Sequence, residues 1–458
     1  MGNGAFKTFY PGVWTQREEP YAKAYQDKIM ELEKRGPIDV EALISGRIPQ
    51  GTQGFINMLE VKEDMMRYNA QKYDPDNPLY SDDAYAQSLG YASKLAMPAF
   101  GAHDDSFLTP FDSRSRDFLA VTGLQHSITQ LKPVYAGDRL YMVKDKLELH
   151  DLTPPEGSVY RNLYLRTFGS VYNQKGERVL EVMFSARENL KSYEDPTDFT
   201  PETRSWISPD WWARPQHYYS DEDWQEIFEI WAQEDMRGDN VLYWEDVNIG
   251  DMPHVTLDGP IHSSVTPTAP FGMAVGGSRT MRELANPEER EKMVRDPDTG
   301  LYFPKDMRQW DPEVPPYGGP VPQPATENKR GVFINYLGRD FAIRHINNWM
   351  GTHGWIKNIR WGIMTNPVEQ GLCFPKNPFA MDLMSPVPAL QGKKTTTHGL
   401  QYDVVKIHSQ VYDKYEKDGM GYVELGFWIT TIYDDEIYEE GGATICLPRR
   451  NGMSLAFR

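Results

Sequence analysis

The tract Tyr73-Asp-Pro-Asp-Asn-Pro-Leu-Tyr80 decides the reading of the fold, together with Ser81-Asp-Asp-Ala-Tyr-Ala86 and, after a short spacer, Met97-Pro-Ala-Phe100. An amphipathic run carrying Met65, Tyr68, Asn69 and Ala70 leads into it and breaks at Pro75 and Pro78. Proline lacks the backbone donor a helix needs and disfavours helical geometry in the residue before it. The tract is therefore predicted to be a rigid turn between two helical segments that holds the carboxylates of Asp74 and Asp76 and the amide of Asn77. A polar turn fixed in this way suits a pocket.

Working outward, the N-terminal side predicts a helix over Glu18 to Arg35, stopped by Gly36-Pro37. On the C-terminal side little strand character follows Pro98 until about Leu119. Gln125 to Leu131 and Arg139 to Leu149 then alternate, with Pro133-Val-Tyr-Ala-Gly-Asp138 as the turn between them. Val159 to Val171 and Arg178 to Ala186 form a predicted hairpin about Asn173-Gln-Lys-Gly176. A connector follows with one amphipathic helix, Asp221 to Met236, capped by Ser220 or Asp221. The pattern restarts at Leu242-Tyr-Trp-Glu-Asp-Val-Asn-Ile-Gly-Asp-Met-Pro253. Residues 285–328 are rich in Pro and charge and read as a long surface loop unable to supply a core. Phe333 to Met350 then predicts a helix, and Tyr402 to Tyr412, Tyr422 to Tyr433 and Ile437 to Leu447 predict strands. Sliding the chain so that Tyr172 meets Tyr433 pairs Leu163 with Glu424, Phe168 with Ile429 and Arg187 with Pro448, so that the closing hairpins coincide turn for turn. An internal duplication is the economical reading. The predicted organisation is an N-terminal helical extension (1–50), a first domain (51–192), a connector (193–240) and a second domain (241–458) with the Pro-rich insertion.

Composition narrows the function classes. A net charge of −18 over 458 residues repels nucleic acid and anionic membrane surfaces. Cys373 and Cys446 are too few and too far apart for a disulfide framework or a zinc site, which points to a reducing, cytoplasmic setting. No apolar run approaches ~18 residues, and the N-terminus lacks a secretory pattern. No His/Cys/Asp grouping has metal spacing, and no phosphate-binding glycine loop or nucleophile elbow occurs. The 12 Trp and 26 Tyr are read as core and subunit-interface residues.

The opening tract resembles the N-terminal domain of MaoC-like dehydratases, where a G-D-x-N-P-x-H turn and a D-x-x-x-A segment precede the central helix. Pro133 to Asp138 is similar to that family's P-V-x-x-G-D turn, and Trp244-Glu-Asp-Val with Gly250-Asp251 looks like the opening strand of a second unit. The resemblance implies an α+β fold of two hot-dog units, each an antiparallel sheet wrapped around a central helix, together forming a pseudo-dimer. It also implies hydration or dehydration of an enoyl or 3-hydroxyacyl-CoA thioester, a lyase reaction with no cofactor beyond the CoA of the substrate. Asp74 or Asp76 would activate water, Asn77 would position it, and the N–H groups around Ala99, Phe100 and Gly101 would polarise the thioester carbonyl. Such chemistry needs an acid–base pair beside an oxyanion site.

This chain departs from the pattern by one extra residue before Asn77 and by Tyr80 where the family has histidine. A phenol titrates near ~10 and cannot replace an imidazole at neutral pH. His103, just beyond the oxyanion turn, either lines the pocket as a catalytic group or is a solvated turn residue. His353 follows the second central helix in a turn and is a candidate substrate contact, as are Tyr80 and, for the CoA phosphates, Arg344. Asp340 and His345 keep the family's spacing but fall on different faces of a helix. His126, His262, His398 and His408 read as structural. Two alternatives stay open: a hot-dog acyl-CoA thioesterase, which needs only the acid, and a non-catalytic acyl-thioester-binding subunit. The expected partner is an acyl-CoA or other acyl thioester, within a homo-oligomer or a hetero-oligomer.

Overall fold

The alternating stretches pair into two antiparallel sets of strands with the same strand order. A computed structural model describes residues 14, 16, 18–102, 119–151, 153, 160–191, 215, 217–259, 284–304, 335–362 and 403–451. The chain divides into two compact units, one made of Met1–Val61, Ala99–Pro209 and Met364–Met381, the other of Lys62–Pro98, Asp210–Ile363 and Asp382–Arg458. No helix among the described residues is long and apolar enough to cross a membrane.

The first unit holds α1 (Glu19–Arg35), α2 (Val40–Ile44), β1 (Phe55–Glu60), β2 (Leu119–Gln130), β3 (Arg139–Asp151), β4 (Tyr160–Tyr172) and β5 (Arg178–Lys191). Its strands run in the order β1-β3-β4-β5-β2, each pair antiparallel. The turn before β3 is closed by Asp138, whose carboxylate accepts from the Tyr135 N–H at 2.9 Å. Tyr25 and Leu32 of α1 bury against Leu147, Leu163, Leu165 and Leu190, while α2 packs over Phe55, Tyr141 and Val143. The fully buried Arg161 ties the N-terminal extension to the sheet through Glu18 and Asp151, with its guanidinium 3.9 Å from the Trp14 ring. The sequence reading missed α2 and β1, which are too short to establish a period. Residues 103–118, where the first central helix is expected, lie outside the described residues.

The second unit begins with α3 (Glu63–Tyr73), a 3-10 turn (Pro78–Tyr80) and α4 (Asp83–Ser88). Its later part holds α5 (Asp221–Gln233), β6 (Thr256–Asp258), α6 (Pro287–Arg290), β7 (Met293–Arg295), β8 (Tyr302–Pro304) and α7 (Asn335–Met350). Four strands close it: β9 (Trp355–Gly362), β10 (Val405–Lys417), β11 (Met420–Thr431) and β12 (Ile437–Leu447). The sheet order β6-β10-β11-β12-β9 repeats that of the first unit, which is the duplication expected from the sequence. Helix α7 packs on β9, β10 and β12 and is buried nearly all round, with Phe341, Ala342, Ile343 and Ile346 sealed from solvent. A helix enclosed by an antiparallel sheet is the hot-dog arrangement.

Three local expectations need correction. Trp244–Asp246 is a 3-10 turn, not the opening strand. The Trp244 indole donates to the Tyr422 carbonyl at 3.0 Å and lies where a side chain on Gly421 would stand, which holds the segment in a turn over β11. The excursion after Ala285 is not core-free: Leu301 buries with Leu284, Tyr219, Trp224, Ile227 and Trp231, and β7 pairs with β8. Close approach decides this, because the Trp224 indole donates to the Gly300 carbonyl at 2.9 Å. The part beyond residue 304, up to 328, lies outside the described residues. Strand β9 was not foreseen, since Lys357, Asn358 and Arg360 interrupt its apolar pattern. Arg360 reaches Glu424 of β11 at 3.0 Å, which makes its place in a strand acceptable.

Candidate active site

Helix α3 ends at Tyr73 because Pro75 follows the next residue, and Asp74 leaves helical geometry at φ −145° and ψ 63°. Asn77, also before a proline, is extended and accepts from the Leu79 N–H through Oδ1 at 3.1 Å, which caps the 3-10 turn. Asp82 does the same for α4, accepting from the N–H groups of Ala84 and Tyr85. The tract is thus built locally, by proline geometry and side-chain caps.

Its docking is long-range. Asp74 Oδ2 accepts from Asn77 Nδ2 at 3.1 Å and from Nδ2 of Asn347, on α7, at 2.8 Å. The same Asn347 nitrogen lies 2.9 Å from the Tyr80 hydroxyl. All three side chains are deeply buried, with Asp74 3% exposed, Tyr80 5% and Asn347 3%. Burial raises the Asp74 carboxyl to about 6, against the pull of the two amide donors and the Arg344 charge. Burial, and the Asp74 charge after it, also raise the Tyr80 phenol well above its ordinary value, so it stays protonated. Further along, Tyr85 of α4 meets Thr352 Oγ1 at 2.6 Å and donates to Asp239 Oδ1 at 3.0 Å.

The two carboxylates left open by the sequence therefore differ, since Asp74 is buried in this cluster and Asp76 is exposed. Residues 62–98 belong to the same compact unit as α7, so Asp74, Asn77 and Tyr80 come together there. Ala99, Phe100 and Gly101 belong to the other unit, where they form a buried turn whose Ala99 N–H donates to Gln130 Oε1 at 3.3 Å. His103 lies outside the described residues. His353 is half-buried and pairs through Nε2 with Asp239 at 2.9 Å, and the His353 and Tyr85 contacts hold the Asp239 carboxyl below its usual range. Arg344 is sealed inside the unit, with its guanidinium meeting both Glu234 oxygens at 3.1–3.4 Å, the Leu257 carbonyl at 3.0 Å and Asp258 at 3.6 Å. His345 bridges Thr256 Oγ1 at 3.0 Å and Ser409 Oγ at 2.7 Å, and burial lowers it to about 3. It is a neutral structural imidazole. Asp340 pairs with its neighbour Arg339 instead.

Sequence reasoning missed Asn347, Asp239 and Tyr85. One signal was available for the first: Asn347-Asn348 interrupts the apolar pattern of a helix otherwise read as core. Among the described residues no group of three or more His, Cys, Asp or Glu side chains could hold a metal ion. The cluster offers a single group that titrates near neutrality, flanked by neutral hydrogen-bonding groups.

No family model and no curated protein matches the chain in sequence. In structure it is similar to a MaoC-like dehydratase at 13% identity, covering 86% of this chain and 98% of the other with a TM-score of 0.44. A putative MaoC domain protein dehydratase from Chloroflexus aurantiacus is similar at 15% identity over 87% and 94% of the two chains, with a TM-score of 0.43. A conserved hypothetical protein from Mycobacterium tuberculosis with a double hotdog fold is similar at 9% identity over 90% and 98%, with a TM-score of 0.42.

Proposed function

We propose that this protein is a hydratase or dehydratase of enoyl and 3-hydroxyacyl thioesters, with Asp74 as the group that activates water. One observation carries the reading: Asp74 Oδ2 is anchored by two amides, while Oδ1 takes no hydrogen bond from the described residues. A carboxyl titrating at about 6 is ionised at neutral pH and still basic enough to accept a proton. In the hydration direction Oδ1 takes a proton from water as its oxygen bonds to C3. The electron pair of the C2–C3 double bond moves toward the thioester carbonyl, and the protonated carboxyl returns its proton to C2. No cofactor enters. The tract keeps the acid and the amide of the turn it resembles.

The phenol of Tyr80 favours a second reading. It cannot share proton transfer at neutral pH, and thioester hydrolysis needs only the one base. Following the enoyl absorbance of crotonyl-CoA and longer enoyl-CoAs, with free thiol measured in parallel, separates the two. Loss of absorbance without thiol supports hydration, and thiol release supports the thioesterase. Neither signal would leave the acyl-thioester-binding subunit, in a homo- or hetero-oligomer. Full turnover in Asp74→Asn would remove Asp74 from the mechanism.

A further inference from the structure

The cluster at Asp74 contains hydrogen-bonding capacity that protein contacts leave unused. Among the described residues Asp74 accepts twice at Oδ2 and not at Oδ1. Asn347 donates to Asp74 and Tyr80 through Nδ2, while its Oδ1 is sealed from solvent and has no partner among the described residues. The Tyr80 oxygen accepts from that amide, so the phenol's own hydrogen is left to donate. Charge sets the orientation of the amide: turned over, its oxygen would stand 2.8 Å from a carboxylate. Two acceptors and one donor are thus presented by three side chains already held to one another.

Buried polar groups in native interiors are paired, and where protein partners are lacking an ordered water supplies about three bonds. Water donates twice and accepts, which matches this set. We infer that Asp74, Asn347 and Tyr80 hold one water molecule between them, which donates to Asp74 Oδ1 and Asn347 Oδ1 and accepts from the Tyr80 hydroxyl. Resting on the reading that Asp74 activates water, this is the reacting water. Asn347 is then the positioning residue that stands in for the absent histidine. The amide cannot exchange protons, so it orients the water and leaves the proton to Asp74.

A crystal structure of the full chain near pH 7.5, at about 1.5 Å resolution, tests this directly. The expected result is an ordered water within ~3.2 Å of Asp74 Oδ1, Asn347 Oδ1 and Tyr80 Oη. A protein atom in that place, or no water there, overturns the inference. In Asn347→Leu the water is expected to be lost. Turnover of crotonyl-CoA should fall about 100-fold with KM within threefold. The acid limb of the pH–rate profile should move to higher pH, because one donor that favours the Asp74 carboxylate is gone. A variant that only melts earlier, with turnover and acid limb unchanged, makes Asn347 structural and overturns its role. A water in place with full activity in Asp74→Asn would uphold the site and remove Asp74 from the mechanism instead.

Discussion

Asp74 is ionised only above about pH 6 in the folded protein, whereas an unfolded aspartate loses its proton near ~3.9. Between those values the folded chain binds more protons than the unfolded one, so this residue's contribution to stability falls as pH rises through the window. Replacing it with a neutral amide removes that dependence. The melting temperature of Asp74→Asn relative to the parent is therefore expected to climb between pH 4 and 7, by the equivalent of about 3 kcal/mol at most. A flat difference over that range would show that the carboxyl is not desolvated. In the parent, the hydration rate should fall below pH 6 with a single ionisation. His345 runs the other way, because its folded value is lowered to about 3. The unfolded chain takes up protons first as pH falls below ~6.5, and stability is lost from there down to pH 3. His345→Ala leaves two buried hydroxyls unpaired and a cavity, so it should cost about 2–4 kcal/mol. Its turnover should stay within threefold of the parent, and a 100-fold loss would place the imidazole in catalysis.

Helix α7 is the element on which the second unit is assembled, and its N-terminal turn shows how closely. A Cβ on Gly338 would collide with the Glu439 carboxyl group of β12. Glu439 is sealed from solvent, neither of its oxygens has a hydrogen-bond partner among the described residues, and burial holds its carboxyl well above the usual range. A neutral acid therefore fills the space the glycine leaves. Gly338→Ala is expected to destabilise by at least about 2 kcal/mol in urea unfolding, with part regained in Gly338→Ala/Glu439→Ala. No change in the single variant would mean that β12 does not approach α7 here. The helix was legible because Ile334, Leu337, Phe341 and Trp349 recur at helical spacing. Strand β9 was not, because Arg360 finds its counter-charge on β11, beyond any local window.

In the whole molecule, the strands of the two units share an order although their sequences share few residues. Residues 62–98 are counted with the second unit, where Tyr73 sets its ring edge against Phe341 and Asn347 meets Asp74 and Tyr80. A chain that begins at residue 210 lacks these contacts and is expected to lose a cooperative thermal transition in near-ultraviolet circular dichroism. A sharp transition at the parent's midpoint would separate that segment from the unit. Periodicity, proline and glycine placement determined strands β2–β5 and β10–β12, the long helices, the duplication and the internal shape of the Asp74 to Tyr80 turn, because each acts over a few bonds along the chain. Tertiary structure alone decided that Asp74 rather than Asp76 is buried, that Arg344 and His345 are tied up inside the fold, and that Asn347 completes the cluster. The reason is physical. Desolvation and hydrogen-bond partnership depend on which atoms surround a group, and here the decisive neighbour of Asp74 lies on α7, in the other half of the chain.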